Sequence, residues 1–302
     1  MNLTGDQLRQ IGLNCAEATL RLEQAISKGK MKNIQQALDE GAIPAWCQWK
    51  KKNGKPNGIV LGRAMKQKNI AVLDLLLEKG ADLYQELNGK NVLTYALDFN
   101  YEDGLTWAIQ HSSIEHISEK TQKTTISQAI QRQFHHSLEQ MLVSGWGKSF
   151  ERNFFWKEEF YSTKDIKSID LLFDYGYLDF SNTEVCNDVL RQQYHVLLHH
   201  QQHTMEALVS LSGYLKHGGQ LNDTFWEGFV SNPIDKAVSI FLNYDCFDLG
   251  RPFEHHTLGD ALRLTQGEKL NLYYPHLKAL LDHHEMNEYT PASKNALPRM
   301  RF

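Results

Sequence analysis

Histidines crowd one stretch of this chain: His195, His199, His200 and His203 all lie within QYHVLLHHQQH. Imidazole is the commonest metal-ligating side chain. His199 and His203 are four apart, a spacing that puts both rings on one face of a helix. A zinc site, however, needs three or four converging ligands held by further hydrogen bonds. No HExxH motif is present, and HHEMNE at His283 lacks its spacing. The plainer reading of the histidine run is a solvated polar helix. A metal-binding or enzymatic role for this His-rich C-terminal half is kept as an alternative.

Other reactive residue types are equally scattered. GWGKSF, Gly145–Phe150, sets two glycines near a lysine, but without the spacing of a phosphate-binding loop, and it follows a helical pattern instead of a strand. No GxSxG elbow occurs. Cys15, Cys47, Cys186 and Cys246 show neither paired zinc-knuckle spacing nor a local catalytic signature. The expectation is a non-enzyme with no cofactor and no metal. Widely spaced cysteines in a chain of this size fit a reducing compartment.

Charge narrows the partners. The formal net charge is -4 and the pI about 6.4, whereas a chain that tracks phosphates carries a basic excess. The dense basic run QWKKKNGKP, with Lys50, Lys51, Lys52 and Lys55, reads as a solvated loop. MNLTGDQLRQIGLNC has no basic stretch followed by an apolar core, and no run reaches bilayer length. The reading is therefore a cytoplasmic chain that binds neither nucleic acid nor membrane, with export by a signal-peptide-independent route left open.

The elements that must position any site repeat along the chain. Ala64 is followed by Leu73, Leu76, Leu77 and Gly80, at offsets of 9, 12, 13 and 16. The same offsets give Ala25, Ile34, Ala37, Leu38 and Gly41; then Ala96, Leu105, Ala108, Ile109 and Ser112; then Ala129, Leu138, Met141, Leu142 and Gly145. A fifth copy starts at Phe160 and runs through Ile169, Leu172, Phe173 and Gly176. A sixth keeps Leu211, Tyr214, Leu215 and Gly218; a seventh reads Phe229, Val238, Phe241, Leu242 and Asp245. An eighth opens at Leu258 and Ala261 and needs an insertion before Leu280 and Leu281.

Anchor spacings of 39, 32, 33 and 31 residues, then 69 for two units and 32, give a period near 33. Each period predicts a short helix, a tight turn and a second helix whose apolar residues form one buried stripe. The glycine after the stripe predicts a left-handed C-terminal cap.

GADLYQELNGKNVLTYAL resembles an ankyrin-repeat junction. Gly80, Ala81 and Asp82 close one unit, while Gly89, Val92, Leu93 and Ala96 open the next. Gly41-Ala42, and Leu61 with Ala64, repeat the match. The resemblance implies an all-α, ankyrin-type helical repeat solenoid with hairpin-like fingers and seven or eight divergent repeats. The Thr-Pro-Leu-His tetrapeptide of that family stands here as IVLG, NVLT, TTIS and HTLG. The threonine and histidine bonds that stitch neighbouring units are thus expected to be largely absent. The corresponding organisation is a leader helix over 1–20, four well-matched repeats over 21–150, three or four divergent ones over 151–286, and a tail over 287–302.

Function then follows from the resemblance: recognition of a protein partner on the concave and finger surface, by a monomer or within a heterocomplex. An inhibitory or toxin-neutralising, immunity-type role ranks first, and a secreted effector or adaptor that captures a host protein second. Aromatic and basic finger residues are the types enriched at interface centres. The candidates are Trp49, Tyr84, Trp146, Phe150, Arg152, Tyr177, Phe180 and Trp226.

Overall fold

The structure is a computed structural model, and it describes residues 5–50, 56–150, 155, 165–178, 204–253 and 255–288. Those residues are mostly helical, with two short two-stranded ribbons. The chain divides into two compact units, Met1–Glu151 and Arg152–Phe302.

In the first unit, α1 (Gly5–Lys28) and α2 (Met31–Asp39) are followed by α3 (Val60–Lys66), α4 (Ile70–Glu78), α5 (Val92–Asp98), α6 (Glu102–His111), α7 (Glu119–Gln131) and α8 (His135–Val143). Helix α1 passes residue 20 without a break, so the leader and the first helix of the first period are one element. Asn69, Asn91 and Ser118 start α4, α5 and α7 by accepting a backbone N–H three residues on, which satisfies a donor the helix leaves open. Helices α1, α3, α5 and α7 pack in sequence against one another, as do α4, α6 and α8.

The repeating stripe is the core of this unit. Ile34, Leu73, Leu105 and Leu138, at offset 9, are all sealed from solvent, as are Leu76, Ala108 and Met141 at offset 12. Gly41, Gly80 and Gly145 adopt φ of +91°, +84° and +80°. In each case the next residue donates its N–H to the carbonyl five residues back: Ala42 to Ala37, Ala81 to Leu76 and Trp146 to Met141. This is the Schellman ending, and it folds the residue after the glycine back onto its own helix. Ser112, in the glycine position of the third period, instead has φ −94°, and the chain leaves α6 extended.

A second left-handed position recurs that the apolar spacing does not reveal. Gly29, Lys68, Asn100 and Gln133 have φ of +64°, +51°, +48° and +59°, each four residues after the alanine of its period. They make the tight turn between paired helices. Only one of the four is glycine, so composition hides the position.

The second unit contains α9 (Ile166–Asp174), α10 (Thr204–Lys216), α11 (Asp223–Ser231), α12 (Asp235–Asn243), α13 (Leu258–Gln266), α14 (Lys269–Tyr273) and α15 (Pro275–Glu288). Helices α9, α10, α12 and α15 pack successively, and α11 packs on α13. Gly176 and Gly218 cap their helices at φ +75° and +84°, and Asp245 does the same at +51°. Aspartate tolerates this region better than most side chains. The insertion expected before Leu280 is the short helix α14. The tail from 289 onward and the histidine run His195–His203 lie outside the described residues.

Candidate partner-binding surface

The best-defined finger joins α4 to α5. After Gly80, the Tyr84 N–H donates to Asp82 Oδ1 at 2.9 Å, a short turn closed by a side chain. Leu87 and Lys90 then exchange two backbone hydrogen bonds of 3.0 and 3.1 Å around Asn88 and Gly89. Both central residues have positive φ, +55° and +72°, the conformation of a two-residue hairpin, which Asn-Gly adopts most readily. Asn91 closes the finger by capping α5.

This finger is tied on both sides. Tyr84 is 40% exposed, its hydroxyl accepts the Ser113 N–H at 2.8 Å, and its ring centroid sits 4.9 Å from that of His116. On the other side Gln85 Nε2 donates to the Ala45 carbonyl at 3.4 Å, while Gln85 Oε1 is buried with no partner. At the finger's base, a hydrogen bond to Asp98 holds the Lys90 ammonium pKa above the ordinary lysine value. Ahead of α3, β1 (Gln48–Lys50) and β2 (Pro56–Ile59) pair antiparallel, with Trp49 opposite Gly58. The ribbon flanks the lysine-rich run.

The structure corrects several proposed contacts. Trp146 is 1% exposed and Phe150 is buried. Trp146 is the residue after Gly145, so the Schellman ending turns its indole into the core instead of outward. Phe150 follows the left-handed Gly147, and the Lys123 ammonium sits 5.1 Å over its ring. Trp226 is also sealed, because residues 223–231 form helix α11 and not a finger. Its ring packs on Phe225, Phe229, Phe241 and Phe247, with centroids 5.3 to 5.9 Å away.

Tyr177 is half-buried with its ring edge-on to Phe155, and burial raises its phenol pKa. It too follows a capping glycine. The Trp49 side chain, Arg152 and Phe180 lie outside the described residues. Among the described residues, Tyr84 is the one proposed contact that is exposed.

Exposed apolar residues also occur off the periodic stripe. Leu13 and Leu20, seven apart on α1, are exposed, as are Leu264, Leu272 and Tyr273 near the end of the second unit. The signal was available in α1, where apolar residues occur beyond the face that α2 and α3 cover.

Stitches between successive helix pairs are present, in a different chemistry from the family tetrapeptide. The Trp107 indole donates to Asp74 at 2.7 Å, and Thr106 and Ser137 share a buried hydroxyl contact of 2.9 Å. Glu102 accepts the His136 N–H at 2.9 Å, placing a carboxylate at the start of α8. Asp235 does the same for Leu277 at the start of α15. The threonine of HTLG does form a cap, within its own helix, where Thr257 and Asp260 bond reciprocally.

Among the described residues, no group of three His, Cys, Asp or Glu side chains is arranged to hold a metal ion. No helix among them is long and apolar enough to cross a membrane. Neither a protein-family model nor a curated protein matches the sequence.

Proposed function

We propose that this chain is an ankyrin-type repeat solenoid that recognises a protein partner without catalysis. What supports the reading most is the finger between α4 and α5. Its backbone is fixed by a hairpin turn, its flanks are bonded to residues 45 and 113, and it holds Tyr84 half out of the protein. A rigid, exposed tyrosine gives contact area at little conformational cost on binding, and tyrosine is among the residues that dominate interface energies. Recurrence of the two left-handed turns at the sequence period supports the solenoid, and successive packing of like helices supports a row of neighbouring fingers. An inhibitory, immunity-type role follows from this reading, since a scaffold without its own reaction acts by occupying its partner.

The test is capture from the native lysate with the full chain as bait. A stoichiometric protein is expected, and Tyr84→Ala should weaken its binding by about 2 kcal/mol, the scale of an interface anchor. The variant's thermal unfolding temperature should fall only modestly, since the lost hydroxyl bond contributes ~1 kcal/mol and the ring, packed beside His116, is already 40% exposed. Undiminished capture by Tyr84→Ala would remove the finger surface from the proposal.

A further inference from the structure

The ends of the helix pairs away from the fingers carry a charge pattern that the fold does not explain. Residues 24–38 and 60–73 span the first two inter-helix turns and contain no aspartate or glutamate. They do contain Lys28, Lys30, Lys32, Arg63, Lys66 and Lys68. All five lysines are exposed. Lys28, Lys30, Lys32 and Lys66 form no ion pair among the described residues.

Direct contacts join the turns into one row. Gln67 Nε2 donates to the Ser27 carbonyl at 3.2 Å, and Gln67 Oε1 lies 3.3 Å from where a Cβ would stand at Gly29. Lys68 Nζ donates to the Asn100 carbonyl at 3.1 Å. Arg132 reaches the side chain of the same asparagine at 3.4 Å.

Local electrostatics argues against a purely structural role. Lys28 and Lys66 end their helices, where the dipole favours a cation. Lys30 and Lys32 flank the start of α2, where it disfavours one, and α2 has neither a side-chain cap nor an acid in its first turn. Helices α6 and α8, by contrast, begin with carboxylates at hand. The lysine row therefore repels itself and opposes α2, in a chain whose net charge is -4.

We propose that this turn row is a second docking surface, for an Asp- and Glu-rich segment of a protein partner. The proposal rests on the protein-recognition reading but uses a different face. Carboxylates spaced along a peptide match it by charge, because lysine offers point charges on flexible stems that can follow an irregular row of acids. No aromatic ring lies in either turn to stack a base, and Met31 is the one exposed large apolar side chain there, too little to anchor in a bilayer.

The experiment is fluorescence anisotropy of the full chain with a labelled peptide of glutamate and alanine, against a glutamine and alanine peptide of equal length. Saturable binding of the glutamate peptide alone is expected, weakening as salt rises. The quintuple variant K28E/K30E/K32E/K66E/K68E should lose roughly tenfold or more in affinity, and K236E/K269E in the second unit should lose none. A Lys→Gln set at the same five positions keeps the test if charge reversal prevents folding. Equal binding by the lysine variants would overturn the proposal. So would tighter, lysine-dependent binding of oligo-dT, or of phosphatidylserine vesicles. Tyr84→Ala should leave peptide binding intact, so failure of the finger surface and failure of the turn row are separable.

Discussion

The two units build similar helix pairs from different packing. In the first, small residues bring helices close: Ala64, Ala96 and Ala129 are sealed. A Cβ at Gly62 would stand 2.4 Å from the Tyr95 ring. In the second, Phe229 occupies the alanine position, and its neighbours Trp226, Phe241 and Phe247 enlarge with it into an aromatic cluster. Edge-to-face pairs contribute about 0.5–1.5 kcal/mol beyond area burial, so at this period aromatic contacts fill the core position that alanine holds in the first unit.

The largest effect should come from removing the centre of that cluster. Trp226→Ala is expected to destabilise the protein by about 3–5 kcal/mol through a cavity that the surrounding rings cannot close. A buried thiol and a half-buried one report on the units separately: burial pushes the Cys47 pKa up to about 12, with Glu23 adding to it, and partial burial pushes that of Cys246 up to about 11. Both should resist iodoacetamide at pH 8 in the folded protein, since the thiolate is the reactive form. Alkylation along a denaturant series, read by mass spectrometry, should move Cys246 in Trp226→Ala more than Cys47. An equal shift would mean that the aromatic cluster does not set the second unit's stability.

A smaller effect of opposite sign tests the shared cap. Gly80→Ala forces a side chain into φ +84° and should cost about 1–2 kcal/mol, although a Cβ there meets no neighbour. Asp245→Gly relieves the same conformation in the second unit and should stabilise it by up to ~1 kcal/mol. Denaturant midpoints for both variants check this. Loss of stability in Asp245→Gly would separate the seventh period from the rest.

The smallest effect concerns pH. Burial pushes the Asp170 carboxyl pKa up, but hydrogen bonds from Lys216 and His217 outweigh it, leaving the pKa below the ordinary aspartate value. A depressed folded-state pKa contributes stability above the unfolded value of about 3.9, which is lost as pH falls through the folded one. Asp170→Asn should therefore lower the melting temperature at neutral pH and converge on the parent below about pH 4. A gap that persists at low pH would show that packing of Asp170, not its charge, matters.

Much of the scaffold was legible because it depends on local rules. Offsets 9, 12 and 13 lie on one helix face whatever packs there, and Gly41, Gly80 and Gly145 end their helices through backbone freedom alone. The site was less legible because exposure is not local. Trp146 and Phe150 look like finger aromatics until the cap at Gly145 and the left-handed turn at Gly147 are seen, with both rings buried. Trp226 looks like one until helix α11 is seen to begin at Asp223.

By itself the sequence determined the helical period, the glycine caps and the absence of acids around the first two turns, since these follow from residue type and spacing. Only the tertiary structure decided which aromatics face water and which left-handed turns need no glycine. It also decided that the lysine-bearing turns of separate helix pairs touch one another, because each depends on neighbours about a period away in sequence.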